Sequence, residues 1–259
     1  IPVAGGGYRH WVFGGETDFS VPYAEQRLDS GVSFTAGRDY YIYLCYQAPA
    51  DEDSLPTADI IVSLNSTFPA GYDANTSRKI GGFHTLCLGA GPLPNNTIDS
   101  TPHPASGFQT ADIIPNSIWC LTHRSSGKFQ EGTAYVAVDD EWHFIYAQSG
   151  IGLNTRSIFG GTVTKSRTQV QHLDDLLRVG YRLEDDASFM LSADGSNAQT
   201  NIQGSADPIT TGGHVDTAGR RMISKYFLED MCGTYLFWLQ DLGFNGQTGW
   251  TAVPGAQGQ

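Results

Sequence analysis

What this sequence has little of narrows its function before any motif is read. Its uninterrupted apolar runs fall well short of the ~20 residues that cross a bilayer, and its opening residues lack the pattern of a signal peptide. Positive charge is scarce, with 15 Lys+Arg against 27 Asp+Glu and a formal net charge of -12. Such a chain is repelled by nucleic-acid phosphates and by anionic lipid surfaces, so neither nucleic acid nor membrane insertion is expected. Cysteine is rare as well: Cys45, Cys87, Cys120 and Cys232 lie far apart in apolar surroundings, with no C-x-x-C pair. They read as buried thiols rather than as zinc ligands or a disulfide framework. The histidines, His10, His84, His103, His123, His143, His172 and His214, are scattered singly and form no H-E-x-x-H or H-x-H pattern. No Walker lysine follows the glycine clusters, no G-x-S-x-G elbow surrounds the "GGHVD" at Gly212 to Asp216, and no calcium-loop spacing is present. The His172 and Asp175 of "HLDD" read as a solvated helix face, and the carboxylate pairs Asp51/Asp53, Asp139/Asp140, Asp185/Asp186 and Glu229/Asp230 as turn and helix-start residues. No cofactor, no metal and no catalytic residue is therefore expected.

What is present is a folded, turn-rich chain. Its 259 residues are 40% hydrophobic and 12% aromatic, enough for one large or two modest cores, and Gly 31 with Pro 12 points to many short strands. The aromatic, glycine-rich opening, with Tyr8, Trp11, Phe13 and Phe19, suggests an ordered contact rather than a linker. "DYYIYLCYQ" (39–47) and "ADIIVSLNS" (58–66) are apolar on both faces, so both faces must be covered, by a second layer or by another subunit. "RKIGGFHTLCLGAG" continues as a strand, and the proline-bearing "GPLPNNTIDSTPHPASGF" after it suggests an excursion or a boundary. Around Asp139, Asp140 and Glu141 the two-residue alternation of Trp142, Phe144 and Tyr146 with Glu141, His143 and Ile145 predicts a hairpin. At "KSRTQVQHLDDLLRVGYRL" the period changes. Ser166 and Gln169 have capping-box spacing, Val170, Leu173, Leu176 and Leu177 share a helical face, and Gly180 offers a stop. A shorter helix is predicted in "EDDASFMLSADG", followed by a long structured loop through residue 221. Three N-x-S/T tripeptides, at Asn65, Asn75 and Asn95, are explained by chance in a chain this rich in Asn, Ser and Thr.

The densest aromatic and sulfur cluster, "LEDMCGTYLFWLQD" (228–241), carries a resemblance. Asp230, Met231, Gly233 and Trp238 match the Asp-Met-x-Gly-Asn-Val-Trp-Glu-Trp block of the formylglycine-generating-enzyme branch of the C-type lectin fold, while Thr234, Tyr235 and Phe237 depart from it. The stretches "SRKIGGFHTLC", "ADIIPNSIWCLTHR", "GSADPITTGGHVDTAGRRMIS" and "EDMCG" resemble phage tail and tail-fibre structural proteins related to the retroelement-diversified variable proteins, the tropism determinants. The resemblance implies that Asp230, Met231, Cys232, Gly233, Tyr235 and Trp238 form the structural core of a lectin-like motif. It also implies that Arg220, Arg221 and Glu229 anchor the polar loop to it by charge-assisted hydrogen bonds. The reactive C-terminal cysteine pair of the enzymes has no counterpart after Cys232. The variable segment that follows this block in the relatives is not matched before "TAVPGAQGQ", and Ile1 in place of Met suggests a trimmed N-terminus.

The expectation is an α+β chain, with a β-rich, sandwich-like assembly domain at residues 1–125 and a C-type-lectin-like domain at 126–259 that is truncated at its C-terminus. The resemblance implies a non-enzymatic virion protein of the tail fibre or tail tip. It would be a homotrimer that joins other phage structural proteins and attaches to a bacterial surface receptor, a glycan among the candidates. The alternatives are a formylglycine-generating type of oxidative enzyme and a diversified bacterial surface-display or carbohydrate-binding protein.

Overall fold

The computed structural model describes residues 2–3, 7–8, 24–31, 33–48, 57–96, 99–121, 131–197, 200–204, 207–245 and 249–255. Most of the opening contact, with Trp11, Phe13 and Phe19, therefore lies outside the described residues. So does the expected boundary at 125/126. Within the opening only the short strands β1 (Pro2–Val3) and β2 (Gly7–Tyr8) are described, paired antiparallel.

The alternating aromatic residues of 39–47 organise the first half. β3 (Asp39–Gln47) lies between β4 (Thr57–Ser63) and β5 (Ser77–His84), and β6 (Trp119–Cys120) completes a four-stranded antiparallel sheet in the order β4-β3-β5-β6. Successive side chains of a strand point to opposite faces: Tyr41, Tyr43 and Cys45 are buried on one face of β3, and on the other Tyr40 is buried while Ile42, Leu44 and Tyr46 are half-buried. Tyr40 packs with Ala24, Phe34, Val62 and Phe83 on one side, while Tyr41, Tyr43 and Cys45 pack with Trp119 on the other. Gly81 and Gly82 of β5 make room for Trp119. A Cβ at Gly81 would meet the Trp119 carbonyl oxygen at 2.6 Å, and one at Gly82 the indole nitrogen at 2.7 Å.

The predicted hairpin is present as β7 (Thr133–Val136) and β8 (Glu141–Phe144), turned by residues 137–140 with Asp140 at φ 59. The short strands β9 (Gln148–Ser149) and β10 (Arg156–Ser157) follow, also antiparallel. α1 (Gln169–Arg178) forms where the period changed, but its capping box is Thr168 with Gln171, two residues later than Ser166 with Gln169. Ser166 adopts φ 61 in the preceding turn, which takes it out of the extended conformation that an N-cap requires. The predicted apolar face is also corrected. Leu176 and Asp175 are buried, whereas Val170 is 71% and Leu177 59% exposed. Buried Asp175 is what turns the helix this way, since its carboxylate accepts from Arg167 and from the Gly152 amide. Gly180, at φ 86, ends the helix as expected. α2 (Asp186–Ser192) is capped by Asp185, whose side chain accepts from the Ser188 amide. β11 (Phe237–Asn245) and β12 (Gly249–Gly255) make a final antiparallel ribbon.

The fold is thus mostly sheet and turn with two helices among the described residues, an α+β arrangement. Its largest apolar cluster draws Leu86, Cys87, Leu93, Ala105 and Ile114 together with Ile145, Tyr146, Phe189, Leu228, Met231 and Leu239. The proline-bearing loop is part of this cluster through Leu93 and Ala105, so it packs inward rather than projecting as an excursion. No helix among the described residues is long and apolar enough to cross a membrane.

Candidate functional site

The segment 227–233 sits where the long polar loop meets the centre of the molecule. Phe227 and Asp230 both take positive φ, 63 and 62, and these two turns aim the backbone of Glu229 and Asp230 inward. The Glu229 amide donates to the Ile145 carbonyl and the Asp230 amide to that of Met222. Both carboxylates are fully enclosed, at 1% and 0% exposure. A buried carboxylate is tolerated when charge and hydrogen bonds meet it, and here they meet every oxygen but Asp230 Oδ1, which is buried without a hydrogen-bond partner. Arg221 binds both oxygens of Glu229 through Nη2, the Gly213 amide donates to Oε2 at 3.1 Å, and the Cys87 thiol donates to Oε1 at 3.4 Å. Asp230 Oδ2 accepts from the Gly212 amide at 2.9 Å and from His214 Nδ1 at 2.8 Å. Gly212 has φ +78, and a Cβ there would strike the Tyr146 ring at 2.5 Å, so the loop approaches this closely only as glycine.

Of the three residues expected to anchor the loop, Arg221 and Glu229 face each other. Arg220 instead turns back to Asp216, a carboxylate at 0% exposure that also accepts from the Ala218 and Arg220 amides and from Asn197. Arg220 therefore closes the loop on itself rather than onto Glu229 and Asp230. The Arg221–Glu229 pair also continues beyond the loop. The Tyr146 hydroxyl bonds His84 Nε2 at 3.0 Å, and His84 Nδ1 lies 2.8 Å from Asp39, so a polar thread runs from β3 through β5 to the 212–230 segment.

Burial, reinforced by Glu229, pushes the Cys87 thiol far up, and burial alone raises Cys232, so neither is a thiolate near neutral pH. Burial raises Glu229 against the opposing pull of Arg221. The Asp230 hydrogen bond outweighs burial at His214 and raises it.

The remaining residues of the motif divide between interior and cleft. Met231 is buried, while Cys232, Gly233, Tyr235 and Trp238 are half-buried. Gly233, at φ 71, passes so close to the Thr200 carbonyl that no Cβ fits. The Tyr235 hydroxyl donates to the Thr210 carbonyl at 3.0 Å and the Trp238 indole to that of Arg167 at 3.1 Å. Met231, Gly233, Tyr235 and Trp238, but not Cys232, line a cleft of about 1080 Å³ between β8, residues 163–167, α1 and residues 180–184. On its acidic rim His143, 4% exposed, lies between Glu184 on Nδ1 and Asp139 on Nε2, each at 2.8 Å. Burial lowers the His143 pKa, but Glu184 and Asp139 outweigh it and leave it raised. Sequence reading missed this convergence, although the Asp139-x-Glu141-x-His143 spacing across a turn into a strand was its signal.

Residues 7–120 match the family model described as the Mtd second domain. The chain is 26% identical over 250 residues to the tail fiber receptor-binding protein of Bordetella phage BPP-1, covering 87% of this chain and 60% of that relative. Among solved structures it is similar to the M1 variant of the Major Tropism Determinant, with a TM-score of 0.58 at 23% identity. The I1 variant gives a TM-score of 0.59 at 23% identity, and each comparison covers 85% of this chain and 62% of the other. The chain thus spans about three fifths of the length of these relatives. The structural likeness establishes a shared fold, and the matches bear out the resemblance to tropism determinant proteins read from the sequence motifs.

Proposed function

We propose that this chain is a non-enzymatic structural protein of a phage particle, a tail-fibre or tail-tip component that attaches the virion to a receptor on a bacterial surface. The observation that carries this reading is the match along 87% of the chain to a tail-fibre receptor-binding protein. In this reading residues 1–125 form a β-rich, sandwich-like assembly domain and residues 126–259 a lectin-like domain. The Mtd second-domain match, which ends at residue 120, supports the division. The motif residues Asp230, Met231, Cys232, Gly233, Tyr235 and Trp238 then serve as the frame of the lectin-like part, and Arg221 with Glu229 anchors the loop. Their burial and hydrogen bonding support those roles. Raised thiols at Cys87 and Cys232 weigh against an oxidative enzyme. The chain acts as a homotrimer alongside other phage structural proteins.

Particles of the phage that encodes the chain, purified and analysed by mass spectrometry and by immunogold labelling, should contain it at the tail. The purified protein should also compete with those particles for adsorption to host cells. A chain absent from the particles, or one that leaves adsorption untouched at saturating concentration, would overturn the assignment.

A further inference from the structure

The turn into β8 gathers three groups of metal-ligating type. One donor atom from each of Asp139, Glu141 and His143 lies within 4.8 Å of the other two. Strand periodicity explains the pairing of Glu141 with His143, which are two residues apart on the same face, and the 137–140 turn folds Asp139 back beside them. His143 is 4% exposed and faces a carboxylate oxygen from each ring nitrogen, Glu184 at Nδ1 and Asp139 at Nε2. A neutral imidazole has a single N–H. If that N–H is donated to Glu184, the Nε2 lone pair faces the Asp139 oxygen, which also accepts from the Ser188 hydroxyl, and either a second ring proton or a bound cation relieves the contact. Asp139, Glu141 and Glu184 bring three negative charges to the cluster. Among the described residues the Lys or Arg paired with it is Arg182, on Glu141, and its side chain is 47% exposed. Glu141, His143 and Glu184 all line the cleft, which gives an ion and its water a route of entry.

We propose that Asp139, Glu141 and His143 form a binding site for a divalent transition-metal ion of the zinc class, with Glu184 orienting His143 from behind. One imidazole nitrogen with two carboxylates is a donor set that zinc and cobalt accept, and it leaves a further position open to water on the cleft side. A carboxylate on the far ring nitrogen is the usual companion of a ligating histidine, because it fixes the tautomer and raises the basicity of the ligating nitrogen. Calcium, which takes 6–8 oxygen ligands, is not served by this set.

The test uses the full chain, stripped with a chelator and then titrated with Zn2+ by calorimetry and with Co2+ by visible absorption. The expected result is about one ion per chain, cobalt bands typical of mixed nitrogen and oxygen coordination, and a zinc-dependent rise in melting temperature. Glu141→Gln removes a half-exposed ligand and should leave the fold intact while weakening zinc by about tenfold or more, by analogy with losses at supporting residues. It decides the matter even if His143→Gln fails to fold. Zinc binding that persists undiminished in Glu141→Gln overturns the proposal. So does calcium binding in place of zinc, or a melting temperature that responds to pH but not to metal, which would mean that only a proton fills the gap.

Discussion

Arg221 and Glu229 show how a polar pair can be fixed in an apolar interior. Their side chains are 6% and 0% exposed, and each polar end of the pair is met: by the Gly213 amide, the Cys87 thiol and the Leu88 carbonyl. Removing one partner strands a charge, at a cost of about 3–5 kcal/mol for buried pairs. Arg221→Met should therefore lose stability on that scale in urea unfolding at neutral pH. The loss should shrink in acid, because burial already biases Glu229 toward its neutral form. Combining Arg221→Met with Glu229→Leu should restore much of the loss, and a double variant no better than the single one would show that the pair is not what the site depends on. His214 gives a second handle, with the opposite sense in pH. Its hydrogen bond to Asp230 raises its folded pKa, so its contribution is complete below the unfolded value of about 6.5 and fades as pH rises through the folded value. The stability difference between the native chain and His214→Gln should be largest near pH ~6 and narrower at pH ~8. A constant difference across that range would show that the proton on His214 does not contribute.

At the scale of elements, local signals were legible where the competing forces were local. The 142–146 alternation gave the β7–β8 hairpin, Gly180 the end of α1, and the acidic start of 185–186 the cap of α2, because each depends on residues within one turn of one another. The cap of α1 moved from Ser166 to Thr168 because Arg167 reaches eight residues along to Asp175, a partner that no capping rule contains. The same buried Asp175 left Val170 and Leu177 facing outward, where periodicity had placed them inside. The candidate site was legible in composition but not in pairing. The motif named Arg221 and Glu229 and missed their contacts with Cys87 and Leu88, which come from residues more than a hundred positions away. Nor could it separate Arg220 from Arg221: the two are adjacent in sequence, yet they serve different carboxylates on opposite sides of one loop.

For the molecule as a whole, these long-range pairings bear on how the proposed parts are coupled. The largest apolar cluster takes residues from 86–114 and from 134–239 alike, so the second half does not close its interior alone, although Ala24, Phe34, Tyr40, Val62 and Phe83 form a separate cluster within the first. The polar thread crosses the same divide, from Asp39 and His84 to Tyr146, and the Asp39 carboxylate also accepts from the Gly132 amide at 2.9 Å. Domains that share buried surface on this scale lose stability together, since unfolding one exposes the apolar face of the other. Thermal unfolding followed at once by calorimetry and by tryptophan fluorescence should therefore show a single transition, even though the chain reads as an assembly part and a display part. Asp39→Asn, a change in the first half, should lower that common midpoint and also speed amide exchange at 229–231 in the second. Two resolved transitions, or an Asp39→Asn effect confined to residues before 121, would mean that the shared cluster is a contact between independent units rather than one core.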